Sequence, residues 1–427
     1  MVKLANIAEA EQALAAYIPM VKAMTGRDIT LERVQPLMAH LGNPQERLRI
    51  IHVAGTSGKT STAYYLASLL QQAGKTAGLT VSPHIDTVAE RVQVNLQSLA
   101  EEVFCRELGE FLDLIQNFEP EPSYFELLMA LAYWYFAKIQ VDYAVIETGF
   151  GGLHDASNIA QNPDKICVLT DIGYDHMHIL GHTLEEIAAQ KAGIMHAGNH
   201  AFTYRQADAV LSVFQKRADE VGATLEIVDE ATERTNLDST AKLADLPLYQ
   251  QHNWLLAHHV YDSLAQRDGL SSLTIEQLNK SLETVVPGRM DIQQVGAKTL
   301  IMDGAHNGQK MEAFVESFQA QFPDQKAVVA LCLKEGKEFQ AVLPALQPIT
   351  DQLILTTFKT SQDLPSKPID PAVLADEARK LGYERVLIEP DYANAYQMLV
   401  EQAAPLGIVT GSFYLVATFR ELMRGEL

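Results

Sequence analysis

The stretch IHVAGTSGKTST, Ile51 to Thr62, sets one lysine and a string of hydroxyls in a glycine-rich turn. Those residue types suit a polyphosphate. Successive backbone N–H groups and the positive end of a following helix attract its oxygens, and Lys59 adds a full charge. Thr60 or Ser61 then offers a hydroxyl to the accompanying Mg2+. Gly55, Thr56, Ser57, Gly58, Lys59, Thr60 and Ser61 are the expected ATP-binding residues of this turn. Its spacing is shorter than the common phosphate loop, which carries a glycine where Val53 stands, and a plain strand-to-helix turn uses the same residue types.

A turn of this kind has to join a strand to a helix, and its flanks supply both. RIIHVA (49–54) is an apolar run, a helical period through Leu66, Leu69 and Leu70 stops at Gly74, and AGLTVS (77–82) is a second apolar run. Strand, helix, strand with parallel pairing is the expected unit. VDYAVIE (141–147) and KICVLTDI (165–172) continue it as runs of the kind buried on both faces. SYFELLMALAYWYFAKI (123–139) is apolar almost all round, which suits a helix inside a core. After VVPGRMDIQQ (285–294), TLIMDGA, KAVVALCL, QLILTTF, RVLIEP and GIVTGS alternate with helical segments such as MEAFVESFQAQF. The expected fold class is α/β: an N-terminal parallel-sheet domain bearing the phosphate loop over residues 1–296, and a smaller Rossmann-like C-terminal domain over 297–427.

Composition excludes whole classes. A chain of 427 residues is too long for one ordinary core, so two domains are the natural expectation. A net charge of −21 argues against nucleic acid or a membrane surface as partner, since both polyanions would repel it. The 3 cysteines have no paired spacing, so neither a disulfide framework nor a zinc site is signalled and a reducing cytoplasm fits. The opening MVKLANIAEAEQALAAY is broken by charge and reads as neither secretory peptide nor membrane span.

The blocks LGNPQERLRIIHVAGTSGKTS, SPHIDTVAERVQVN, YFELLMALAYWYF, VIETGFGGLHDASN, DHMHILGHTLEEIAAQKAGI, PGR, DGAHN and GSFYLV follow one another along nearly the whole chain. In this order they resemble the folylpolyglutamate synthase and dihydrofolate synthase members of the Mur ligase superfamily. The resemblance implies an ATP-dependent ligase that phosphorylates a carboxylate and lets the amino group of L-glutamate attack the acyl phosphate. The acid would be a folate or dihydropteroate. It also implies two Mg2+ ions, a monovalent cation, no nucleic acid or membrane partner, and a monomer.

Site residues follow from the same resemblance. Ser82, Glu147 and His176 would hold Mg2+ together with Thr60. Each falls just at or beyond the end of an expected strand, where ligands of open parallel sheets collect. Other readings stand beside these: Ser82 suits a helix cap, Glu147 a structural salt bridge, and His176 ordinary packing, nitrogen being an unusual ligand for so hard a cation. Lys191, in AAQKAGI, would be carbamylated into an anion. It lies four residues after Ile187 on one helix face and so is expected to point inward, although a helical lysine is more often solvated. Lys59, Lys191 and His176 form the expected catalytic set. Asn253 would offer a donor and an acceptor to adenine, Arg289 would reach the phosphates, and Asp303 and His306 would meet ATP from the C-terminal domain, with closure before chemistry.

Some positions depart from the family pattern. Ser57 and Thr60 stand for Asn and Gly, Leu153 for an arginine, Gln250 and Leu256 for Gly and Asn, and Gly308 for a proline. These bear on the acid pocket more than on the phosphate contacts. A Mur-type ligase acting on a UDP-muramyl acid and a non-catalytic nucleotide-binding module are the alternatives.

Overall fold

The computed structural model describes residues 2–18, 30–237, 242–337, 339–359 and 366–425. The chain forms two compact units, Met1–Leu243 with Gln250–Thr284, and Ala244–Tyr249 with Val285–Leu427. Among the described residues no helix is long and apolar enough to cross a membrane. Cys105, Cys167 and Cys332 are buried free thiols.

The first unit holds strands β1 (Ile50–Ala54), β2 (Ala77–Thr80), β3 (Gln93–Val94), β4 (Gln97–Ser98), β5 (Tyr143–Glu147), β6 (Ile166–Leu169), β7 (His200–Tyr204) and β8 (Thr224–Val228). They form one sheet in the order β4-β3-β2-β5-β1-β6-β7-β8. The pairs from β2 to β8 are parallel, while β3 and β4 add antiparallel ends. The chain leaves β1 for β2 on one side and later returns to β6 on the other, the switch point at which such sheets bind ligands beyond their carboxyl ends. Helices Lys59–Gln72 and Tyr124–Ile139 are buried along nearly their whole lengths. Most aromatics of the second, among them Tyr124, Tyr133, Trp134, Tyr135 and Phe136, belong to the core. Phe125 is only partly buried.

The second unit adds β9 (Asp291–Val295), β10 (Lys298–Asp303), β11 (Ala327–Leu331), β12 (Thr350–Leu355), β13 (Val386–Ile388) and β14 (Leu406–Thr410), ordered β13-β12-β11-β14-β10-β9. Only β9 runs antiparallel, in a hairpin with β10. That hairpin moves the boundary ahead of residue 296: β9 pairs along its length with β10, so the chain from Val285 onward joins the second unit.

Candidate active site

Parallel register gathers the first unit's chemistry at one sheet edge. Val53 of β1 lies beside Glu147 of β5, and Thr80 of β2 beside Ile146. The segments leaving β1, β2 and β5 therefore emerge together, carrying Thr60, Ser82 and Glu147. Glu147 is 1% exposed. Its carboxylate accepts the Thr60 hydroxyl at 2.9 Å and the Ser82 backbone N–H at 3.1 Å. Burying a carboxylate is costly without such donors, and the two bonds aim it at the loop.

Within the loop the backbone groups are divided between two tasks. Thr56 and Ser57 donate their N–H groups to the carbonyl of Asp171, at 2.8 and 3.2 Å, so these two are committed to the fold rather than to a phosphate. Thr170 Oγ1 bonds the Ser57 carbonyl at 2.6 Å, and Thr56 Oγ1 bonds that of Gly173 at 3.1 Å. Gly58, at φ 85°, caps the helix that Lys59 opens. The first-turn N–H groups of that helix have no carbonyl a turn earlier to bond and are the natural phosphate donors. Ser61 Oγ is buried without a hydrogen-bond partner among the described atoms.

Two further side chains reach the loop. Lys191, on helix Leu184–Ala192, is 4% exposed and donates from Nζ to the Gly55 carbonyl at 2.9 Å. Its inward direction is as expected from sequence. The neighbouring Gly152 turn is fastened to the same helix by the Leu153 N–H, which bonds the Gln190 carbonyl at 2.7 Å. Asn253 is 3% exposed, and a Cβ placed on Gly58 would collide with its Oδ1, so its amide lies directly over the loop.

His176 lies against the segment leaving β5. It caps the short helix Met177–Leu180 at φ 53°, is 44% exposed, and packs edge-on to Phe150 at 4.7 Å with Nε2 3.8 Å from Asp175 Oδ1. It follows β6, and its ring partner Phe150 follows the end of β5. Among the described residues no group of three or more His, Cys, Asp or Glu is gathered to hold a metal ion. Of the expected metal ligands, Thr60, Ser82 and Glu147 are brought together by hydrogen bonds, and His176 packs on Phe150, three residues past Glu147.

The second unit carries Arg289, Asp303 and His306 in one neighbourhood. Asp303 closes β10, is 3% exposed, and accepts from Tyr249 Oη at 2.6 Å, Met290 N at 2.9 Å and Ala305 N at 2.8 Å. Burial pushes its carboxyl above the usual range, opposed by Arg289 and these hydrogen bonds. It ties the PGR turn to the DGAHN turn. His306 donates from Nδ1 to the Gly304 carbonyl at 2.7 Å, which leaves Nε2 facing Lys310 Nζ at 3.2 Å. The Phe413 ring lies 4.1 Å from the Arg289 guanidinium carbon and 6.2 Å from the His306 ring. Parallel pairing of Asp303 with Thr410 sets the DGAHN turn beside the GSFYLV segment that carries Phe413.

This arrangement has relatives. The Mur ligase middle domain matches residues 53–245, and the Mur ligase glutamate ligase domain matches 288–413. The chain is 33% identical over 423 residues to the dihydrofolate synthetase of Saccharomyces cerevisiae, covering 93% of this chain and 97% of that protein. The chain belongs to the Mur ligase family, in its folylpolyglutamate and dihydrofolate synthase branch. It is an ATP-dependent ligase. The Bacillus subtilis dihydrofolate synthase/folylpolyglutamate synthase is 28% identical, over 92% of this chain and 95% of that one. A solved structure of Escherichia coli FolC in complex with DHPP and ADP superposes with a TM-score of 0.80 at 25% identity, covering 99% of this chain and 98% of that chain.

Two ligase features escaped the sequence reading. Phe413 lies in the GSFYLV block but offers no chemistry of its own, so only the structure connects it to Arg289 and His306. Asp171 carries a charge in a strand-end context, yet its contribution to the loop is a main-chain carbonyl, which no residue type announces.

Glu147→Gln gives a direct check on the buried carboxylate. The variant keeps the shape and removes the charge, so the divalent-ion concentration for half-maximal ADP release is expected to rise at least about tenfold, roughly 1.4 kcal/mol. An unchanged metal requirement in a folded variant would remove Glu147 from the metal site.

Proposed function

We propose that this ligase uses ATP to phosphorylate the carboxylate of a pteroyl-type acid, dihydropteroate or a reduced folate, and joins the activated acid to L-glutamate. A carboxylate oxygen attacks the γ-phosphorus of ATP, the bond to the β-phosphate oxygen breaks, and ADP departs. The glutamate amine then attacks the acyl carbon, loses a proton, and phosphate leaves. Both steps gather negative charge on phosphoryl oxygens, and positioned cations and N–H donors carry most of the catalysis.

The observation that carries this reading is the buried Glu147 carboxylate holding Thr60 and Ser82 beside the loop that carries Lys59. Those groups supply hard oxygen donors suited to Mg2+, and the side chains of Thr60 and Glu147 with Ser82 are the residues that would hold it. The ion, when bound, neutralises phosphate charge. Lys59 places its cation at the transferring phosphoryl group, and Asn253, lying over the loop, faces the nucleotide. In the second unit Arg289 is kept in place by Phe413, with His306 beside it. Lys191 acts as a carbamate: its ammonium gives up a proton, the free amine Nζ bonds to the carbon of CO2 and gives up a second proton, and the remaining N–H still serves the Gly55 carbonyl. That anion provides for a second Mg2+.

The folate assignment draws on relatives that match this chain almost end to end and are named for that chemistry. Phe125, in contact distance of Gly149 beyond β5, is the aromatic of its helix placed to meet a flat ring there. The test is an ADP-release assay with components left out singly. Release is expected only with ATP and Mg2+, L-glutamate, and a pterin acid present together; equal release with a UDP-muramyl acid in place of the pterin acid would refute the substrate class.

A further inference from the structure

One charged cluster in the first unit is used by none of the steps above. His252 precedes Asn253 on helix Leu248–Asp268, and both of its ring nitrogens face carboxylates. Nδ1 lies 2.7 Å from Glu230 Oε2, and Nε2 lies 3.1 and 3.3 Å from the two oxygens of Asp171. The ring stacks on Tyr204 of β7, with centroids 3.7 Å apart and planes 20° from parallel. Arg234 bonds the other oxygen of Glu230, so the titratable groups met at the ring are Asp171, Glu230 with Arg234, and the stacked Tyr204. A neutral imidazole donates from one nitrogen only, so bonding both carboxylates requires the imidazolium.

Asp171 is the link to the nucleotide loop. Its side chain is held by His252, and its main-chain carbonyl receives the N–H groups of Thr56 and Ser57. Asn253, one residue on, lies over Gly58. The His252–Asn253 pair thus grips the loop at two points, one through Asp171 and one directly. We propose that His252, as an imidazolium clamped between Asp171 and Glu230, is the positioning residue of the nucleotide loop and sets its affinity for ADP and ATP. The inference rests on the reading of Gly55–Ser61 as the nucleotide loop.

Burial opposes the His252 charge, but its hydrogen bonds to Asp171 and Glu230 outweigh that cost and push its pKa up to about 9. The same ring, with Arg234, holds Glu230 down at about 2. A raised value means the charged clamp is complete at neutral pH and is lost as pH rises through about 9. Loop order, and nucleotide affinity with it, should follow.

The experiment is calorimetric titration of the full chain with ADP and Mg2+ from about pH 7 to about pH 10, on wild type, His252→Gln and Asp171→Asn. Wild type should lose about tenfold in affinity along the alkaline limb. His252→Gln should bind about tenfold more weakly at neutral pH, with no alkaline limb left. Asp171→Asn keeps the imidazole but removes one carboxylate, so its limb should move to lower pH. Wild-type affinity that is flat with pH, or a folded His252→Gln with unchanged affinity and limb, overturns the proposal, and the wild-type result stands even where a variant fails to fold. Failure of the loop reading itself looks different: Lys59→Ala would then keep wild-type turnover.

Discussion

Lys59→Ala is expected to lower ligase turnover by at least about a hundredfold while the melting temperature stays near that of wild type. Removing one preorganised donor aimed at developing charge costs roughly 2.7 kcal/mol or more, and a full cation at the transferring phosphoryl group belongs at the upper end. The fold has little to lose. Lys59 is half-buried at the first position of its helix, in a surface turn whose shape is kept by Thr56, Ser57 and Thr170 contacts that do not involve its side chain. ADP release and thermal melting on one sample decide the matter. Turnover within about tenfold of wild type would remove the loop assignment.

Lys191→Ala is the second large effect. Its Nζ is buried on the Gly55 carbonyl, so truncation leaves a hole at the base of the loop as well as removing a charge. The carbamate reading makes a sharper demand than loss of activity: an anion is missing, so added formate or acetate should restore part of the turnover. Lys191→Arg should stay inactive, since arginine keeps a positive charge and forms no carbamate. A fully active Lys191→Arg would show that the site needs a cation there. Rescue by short amines with none by carboxylates would point the same way.

Much of the frame could be read directly from residues. Strands β1, β2, β5 and β6 are continuous apolar runs, and the helix at Lys59–Gln72 follows its glycine turn as the spacing requires. Edge strands were harder. β8 reads Thr-Leu-Glu-Ile-Val with two exposed, two half-exposed and one buried side chain, and β3 and β4 have two residues each, too short for a pattern. The domain boundary moved because Asp291–Val295 is polar and alternates, which resembles a linker until β10 is there to pair with it. The inward direction of Lys191 accords with its place four residues after Ile187 on one helix face, and Glu147 ends the apolar run of β5. The loss of Thr56 and Ser57 N–H groups to Asp171, and the two carboxylates around His252, were not legible, because main-chain acceptors and residues far apart in sequence leave no local signal. His176 lies on the segment after β6, with its ring against Phe150 on the segment after β5.

The account's central claim is that ATP activates the carboxylate of a pterin acid for attack by glutamate. The most direct test follows heavy oxygen placed in the carboxylate of dihydropteroate and of a reduced folate, with ATP, Mg2+ and L-glutamate supplied and all products weighed by mass spectrometry. The predicted result is a pterin product heavier by one glutamyl unit and lighter by one labelled oxygen, with that oxygen recovered in inorganic phosphate. Phosphate free of label, or glutamyl transfer to neither acid, would contradict it.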